Sequence, residues 1–187
     1  GYTPFLKTES ITETVGIEAY ALTYQYGPEQ HRVRSLLTVG DQWVQERIYA
    51  GAYELLRTDD ESFENHYIQG GDGLCAIVVK YNGTWVYHAI YTDHLGSIVA
   101  ATDMNTGAIV AEQNFDPWGR YRKPSTWVPL SGAPDLPLWL FRGFTGHEYV
   151  QPFALINMNG RMYDPANGRM LGVDNYVQSG LGTQGFN

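Results

Sequence analysis

The sequence predicts an all-β fold: an antiparallel meander of stacked β-hairpins followed by an irregular carboxy-terminal segment. Three observations carry that prediction. Turn formers recur along the first two-thirds of the chain at gaps of about 9 to 13 residues, the spacing of a meander, sandwich or barrel. No long stretch shows the 3.6-residue apolar period of a helix, so the crossover helices that parallel strands need are missing. The composition is rich in tyrosine (14) and glycine (21) among 187 residues, which suits twisted strands joined by tight turns.

The strand pairs follow in chain order. Tyr20 to Tyr26 reads as a strand with Tyr20, Leu22, Tyr24 and Tyr26 on one face and Ala21, Thr23 and Gln25 on the other. Its partner is Arg32 to Val39. Trp43 to Ala50 with Tyr53 to Thr58 forms a second pair. The clearest hairpin is Ala76 to Tyr81, then Asn82-Gly83, then Thr84 to Tyr91. Asn-Gly supplies the two positive-φ residues of a type I′ turn. Ser97 to Asp103 and Ala108 to Phe115 form another hairpin around Met104 to Gly107. Lys123 to Pro137 carries four prolines and is expected to be an irregular surface loop. Strands are expected to resume at Leu138 to Phe144 and at Phe153 to Tyr163. The tail, Gln178 to Asn187, has little to bury and is expected to be poorly ordered. The chain therefore divides into a hairpin array, 1–120, and a carboxy-terminal segment, 121–187.

Composition narrows function. Twelve basic residues against twenty acidic give a formal charge of −8, which argues against nucleic-acid partners and anionic membranes. No run of apolar residues is long enough to span a bilayer, and Gly1 to Pro4 does not open a signal peptide. Cys75, the one cysteine, excludes an internal disulfide and a cysteine-based zinc site. Within Leu74 to Val79 it reads as a buried structural thiol. Five histidines (His31, His66, His88, His94 and His147) lie at no metal-ligand spacing, and His147-Glu148 lacks the rest of a His-Glu-x-x-His helix. No Gly-x-Ser-x-Gly elbow is present. No metal or cofactor is expected, and turnover of an external substrate is disfavoured.

Three segments share one design. They are Tyr91-Thr92-Asp93-His94-Leu95-Gly96, Phe115-Asp116-Pro117-Trp118-Gly119-Arg120 and Tyr163-Asp164-Pro165-Ala166-Asn167-Gly168-Arg169. In the first two, Asp at the first turn position and Gly at the fourth are type I preferences. The Asp carboxylate can accept backbone N–H groups while the aromatic before it stays in the strand. Asp93, Asp116 and Asp164 are thus candidate catalytic carboxylates or turn formers, and turn formation is favoured because each carries its own turn partners. The exposed faces of Trp43, Trp85, Trp118, Trp127 and Trp139 would suit sugar stacking, although aromatic pairing across strands accounts for them more simply.

Tyr-x-Asp-x-x-Gly units resemble those of YD-repeat, or Rhs (rearrangement hot spot), proteins. From Tyr91 onward the order also matches that family's repeat-associated core region: Tyr91 to Ser97, Phe115 to Arg120, Phe144-Thr145-Gly146-His147-Glu148-Tyr149, Asn159 to Pro165, Gly168 to Leu171 and Asp174-Asn175-Tyr176. Tyr24 to Gly27 with Arg32-Val33, and Arg47 to Gly51, look like degenerate repeats. The resemblance implies a piece of a hollow β-shell, as in polymorphic and Tc toxins. Its partners would be the rest of the shell and a carboxy-terminal effector, and it would be secreted or at the surface of a bacterium. It also implies an aspartyl autoproteolysis site, onto which Arg161 and Asp174 map by position. The pair reads more simply as a structural salt bridge. The family's Asp-Pro-x-Gly-Leu motif, with its second acid and scissile bond, is not reached by Asn187, and Val173 stands where that family has Pro. The expected function is a structural shell or plug fragment; the alternative is a cell-surface module that binds carbohydrate or protein.

Overall fold

The computed structural model describes residues 1–174, and the expectation for Gln178 to Asn187 lies outside them. Ten strands form one sheet in chain order, every neighbouring pair antiparallel: β1 (Ser10–Val15), β2 (Glu18–Tyr26), β3 (Arg32–Val39), β4 (Gln42–Ala50), β5 (Tyr53–Arg57), β6 (Ser62–Gly70), β7 (Gly73–Tyr81), β8 (Thr84–Thr92), β9 (Ile98–Asp103) and β10 (Ile109–Glu112). A second sheet has four short strands, β11 (Glu148–Val150), β12 (Leu155–Asn157), β13 (Met162–Asp164) and β14 (Arg169–Met170). The meander is the predicted all-β fold. No helix among the described residues is long and apolar enough to cross a membrane.

Register explains the two faces of the large sheet. Tyr24 sits opposite Ser35, Ser35 opposite Arg47, Arg47 opposite Leu56, Leu56 opposite Phe63 and Phe63 opposite Tyr81. Because side chains alternate, that row and the row two residues along it (Tyr49, Glu54, Asn65, Val79) share one inner face. Leu56, Ile77, Val79, Ile90, Ile98 and Ala101 are buried there. Against them pack Trp139, Leu140 and Phe141 from the carboxy-terminal segment. Burial of side chains this size contributes about 1.5–3 kcal/mol each. A second cluster joins Leu22 and Tyr24 of β2 to Val150, Phe153 and Met162. Residues beyond 120 thus share both cores with the hairpins.

Three local expectations need correction. Leu138 to Phe144 is not a strand. Trp139, Leu140 and Phe141 are all buried in succession, whereas a strand covered on one side buries alternate residues. The segment instead turns at Pro137, whose carbonyl accepts from Leu140 N–H, and ends in a 3₁₀ turn, Phe144–Gly146. Phe153 to Tyr163 splits into β12 and β13 because Asn159, at φ 61°, lies in the left-handed region and reverses the chain. Cys75 is exposed. The β6–β7 register slips between Ile68↔Ala76 and Gln69↔Leu74, which makes Cys75 the extra residue of a bulge.

Candidate functional site

Asp93 Oδ1 accepts from the N–H groups of Leu95 (2.9 Å) and Ser97 (2.8 Å), and Gly96 N–H closes onto the Asp93 carbonyl at 3.0 Å. Asp116 Oδ1 accepts from Trp118 (2.9 Å) and Arg120 (3.0 Å), its Oδ2 pairs with Arg120 Nε at 2.6 Å, and Gly119 closes the turn. Asp164 Oδ1 accepts from Ala166 (2.8 Å) and Asn167 (3.2 Å). Burial would raise the Asp116 pKa, but the Arg120 side chain and the two N–H groups hold it below the usual carboxylate range. Each carboxylate accepts backbone N–H groups of its own turn.

The first two turns meet the 3₁₀ turn Phe144–Gly146, and the third meets the second. The 3₁₀ turn is tied to the first of them, since Thr145 N–H donates to Ser97 Oγ at 3.0 Å. Phe115 contacts Phe144 with ring centroids 5.8 Å apart. Gly119, at φ 93°, leaves room for Phe144, whose ring atom would stand 2.7 Å from an added Cβ. Pro117 and Tyr91 are exposed, Tyr163 half-buried and Pro165 buried. Gly168 abuts Trp118, so the second and third turns touch each other. Among the tryptophans, Trp139 is not on the surface. It is buried with its ring 4.2 Å from that of His88, stacked at 12°, and its carbonyl accepts from Asn65 Nδ2 at 2.8 Å.

Arg161 and Asp174 are brought together: Nη2 lies 2.9 Å from Oδ2, with the side chains 20% and 39% exposed. Asn175 and Tyr176 of the matching motif lie outside the described residues.

The most charged site in the interior was not visible in sequence. Glu148, the first residue of β11, is buried against the inner face of the large sheet. Its carboxylate pairs with Arg32 Nη2 at 2.9 Å and with Arg47 Nη1, and accepts from the Tyr49 hydroxyl at 3.2 Å. Burial opposes its charge, yet Arg32, Arg47 and Arg142 outweigh that and keep its pKa below the ordinary value. The guanidinium of Arg32 also stands 4.1 Å from the Tyr49 ring centroid and that of Arg47 3.8 Å from Phe141. Beside it, buried Glu54 takes Arg142 and the Tyr67 hydroxyl (2.7 Å). Both clusters tie strands β3 to β6 to residues 142–148. Arg47 shares the strand parity of Tyr49, but that parity does not say which face is inward, and the neighbours of Glu148, His147 and Tyr149, do not mark it as an interior charge.

Among the described residues no group of three His, Cys, Asp or Glu is placed to hold a metal ion. The chemistry on offer is charge neutralisation and turn closure.

Comparison with known proteins agrees with that geometry. The profile of the Teneurin YD-shell family matches residues 74–184. The chain is similar to the tRNA nuclease WapA of Bacillus subtilis (strain 168), 28% identical over 155 residues, a match that takes in 81% of this chain and 6% of that protein. Among solved structures it resembles TcdB2-TccC3, with a TM-score of 0.71 at 17% identity over 94% of this chain and 9% of the other. It also resembles a Tc holotoxin pore from Photorhabdus luminescens, with a TM-score of 0.69 at 16% identity over 93% and 8%. The chain thus spans less than a tenth of the length of each relative. Identities this low speak for the fold alone, but the profile runs from β7 through the whole second sheet, and on that ground the chain belongs to the Teneurin YD-shell family, as a piece of an Rhs-type YD-repeat shell.

Proposed function

We propose that the chain is wall and plug in one: residues 1–120 a stretch of shell wall, residues 121–187 the core segment that closes it, in a longer polypeptide that encloses its own carboxy-terminal effector. The observation that carries this reading is Glu148, set between Arg32 and Arg47 of the sheet. A carboxylate buried this way is costly unless both partners are held in register, so it fastens residues 142–148 to the hairpins in one arrangement. The name of the relative WapA, a tRNA nuclease, suggests the kind of effector such a shell would hold, and a secreted or cell-surface setting in a bacterium follows from the same reading. Arg161 and Asp174, 2.9 Å apart, would be what this segment retains of an aspartyl cleavage site.

Limited proteolysis of the parent polypeptide tests the enclosure. The effector is expected to resist proteinase K in the native protein and to become cleavable in Glu148→Gln, where wall and plug lose their fastening. An effector digested equally fast in both proteins would overturn the reading. A second reading, a carbohydrate- or protein-binding surface, draws on the outer face of β8, where Trp85, Tyr87 and Tyr91 are 44%, 46% and 52% exposed. A glycan array with no hit above background would count against the sugar form of it.

A further inference from the structure

A strap, Ser131-Gly132-Ala133-Pro134-Asp135-Leu136, joins the hairpin array to the segment buried against it. Among the described residues, no backbone or side-chain group of 131–136 makes a hydrogen bond, although both flanks do. Leu130 N–H donates to the Tyr121 carbonyl at 2.9 Å, and Leu140 N–H to that of Pro137 at 2.8 Å. Ser131 and Asp135 are exposed, and a Cβ added at Gly132 would meet nothing within 4 Å. At the far end Leu136 is half-buried and packs on the core of the large sheet.

An endoprotease takes its substrate as an extended strand and pairs with its backbone N–H and C=O groups. Strands and closed turns resist this because their own bonds must open first, whereas exposed segments of small residues admit it. The neighbouring reversals are closed: Gly96 N–H bonds to the Asp93 carbonyl, Gly119 to that of Asp116 and Trp127 to that of Lys123. The side chains of the strap then select the enzyme. It holds no Lys, Arg or aromatic residue, and Lys123 in the hairpin before it is followed by Pro124. A proline after the scissile bond lacks the N–H and bars cleavage, so the bonds before Pro124, Pro134 and Pro137 are closed as well. Leu130 is tied to Tyr121, and Leu136 is seated in the core. What is left free is Ser131-Gly132-Ala133, which suits an enzyme of elastase type that takes a small side chain before the cut.

A cut there leaves the two pieces joined by contacts that do not run through the strap. Gln113 Nε2 donates to the Arg142 carbonyl at 3.2 Å, and the Tyr121 and Tyr149 rings meet edge-on at 4.9 Å. Asn65 Nδ2 holds the Trp139 carbonyl at 2.8 Å, and Glu148 takes Arg32 at 2.9 Å. We propose that the strap is a processing site: an endoprotease selective for small residues hydrolyses the Ser131–Gly132 bond, and the protein continues as two chains in one folded body. Water adds across the C–N bond, leaving a carboxylate on Ser131 and an ammonium on Gly132. The inference goes beyond the shell reading and does not depend on an effector being enclosed, because the bond and the contacts that span it lie in this chain.

The test treats the full chain with pancreatic elastase and, in parallel, with trypsin, both at a low ratio of enzyme to protein, and maps the cuts by mass spectrometry. Elastase should open the strap at least tenfold faster than any other bond among residues 1–174, and trypsin should leave the strap whole. The double variant Ser131→Pro, Gly132→Pro closes the site without removing a hydrogen bond and should slow elastase at least tenfold. Should that variant disturb folding, as a shifted thermal melt would reveal, the cut map of the wild type decides alone. The cleaved protein should elute from a sizing column where the intact one does, with its native mass raised by one water. A first elastase cut elsewhere among residues 1–174, or two pieces that part on the column, would overturn the proposal.

Discussion

His88 sits inside the inner face with its imidazole stacked on Trp139, and burial lowers its pKa against the weaker opposing pull of Asp103. His147, beside the Arg142 guanidinium and hydrogen-bonded to Thr145 Oγ1 at 2.8 Å, is lowered as well, by burial first and by Arg142 second. A base whose folded pKa lies below its unfolded value of about 6.5 lends stability that is complete above that pH and is lost as the pH falls. The unfolded chain takes up protons there that the folded chain refuses. Denaturant melts from pH 7.5 to 5 should therefore show falling stability. The slope should be shallower in His88→Gln and shallowest in the double variant with His147→Gln. A wild-type curve that is flat over that range would refute the assignment. Glu148 behaves oppositely in chemistry but not in sign: its depressed pKa also withdraws stability as the pH falls, only in the carboxylate range below about 4.3. The histidine window opens near pH 6.5 and the carboxylate window only below about 4.3, so the histidine effect is read in the upper part of the range.

The turns are the elements on which the fold's punctuation rests, and Asp116 is the best-supplied of them. Asp116→Ala removes the acceptor of two N–H groups and the Arg120 partner together, while Asp116→Asn keeps an oxygen for the N–H groups. Loss of a comparable capping carboxylate costs about 0.5–2 kcal/mol. Asp116→Ala is expected at the upper end of that range and Asp116→Asn at less than half of it, read from urea midpoints. Equal losses would place the stabilisation in the Arg120 pair instead of the turn. Such turns were legible because Asp, Pro and Gly act locally, and the Asn82-Gly83 hairpin was legible for the same reason: Asn82 and Gly83 have φ of 49° and 77°. The pairs β2–β3, β4–β5 and β7–β8 follow from turn spacing and alternation. What stayed hidden depends on contacts remote in sequence. Glu148 and Arg47 are 101 residues apart, and no local pattern tells a charge aimed at a buried partner from one aimed at water. Leu138 to Phe144 looks like a strand because its apolar run is continuous, yet the run exists to fill the space under β6 to β9. Cys75 looks buried for the same reason, and a one-residue bulge turns it outward.

A sheet whose strands lie in chain order is open at both ends, and at the level of the whole molecule that is its least satisfied feature. β1 has β2 on one side and β10 has β9 on one side. Natural sheets blunt such edges with charge, proline or a covering element, since unpaired N–H and C=O groups recruit other strands. Here the amino-terminal residues reach only the start of β1, where Gly1 bonds to Glu9 and Ser10. The remainder of that edge ends on Val15, and the opposite edge begins on Ile109, both more than half exposed. Among the described residues no further strand pairs with either edge, and under the shell reading neighbouring repeats would occupy both. Sedimentation velocity over the micromolar range should therefore show self-association that rises with concentration. The double variant Val15→Lys, Ile109→Lys should sediment as a monomer with an unchanged melting temperature, because both side chains face solvent and touch neither core. A wild-type chain that stays monomeric throughout would mean that the edges are already blunted by their own twist and length. The drive to join further wall would then have to come from the faces of the sheet and not from its rim.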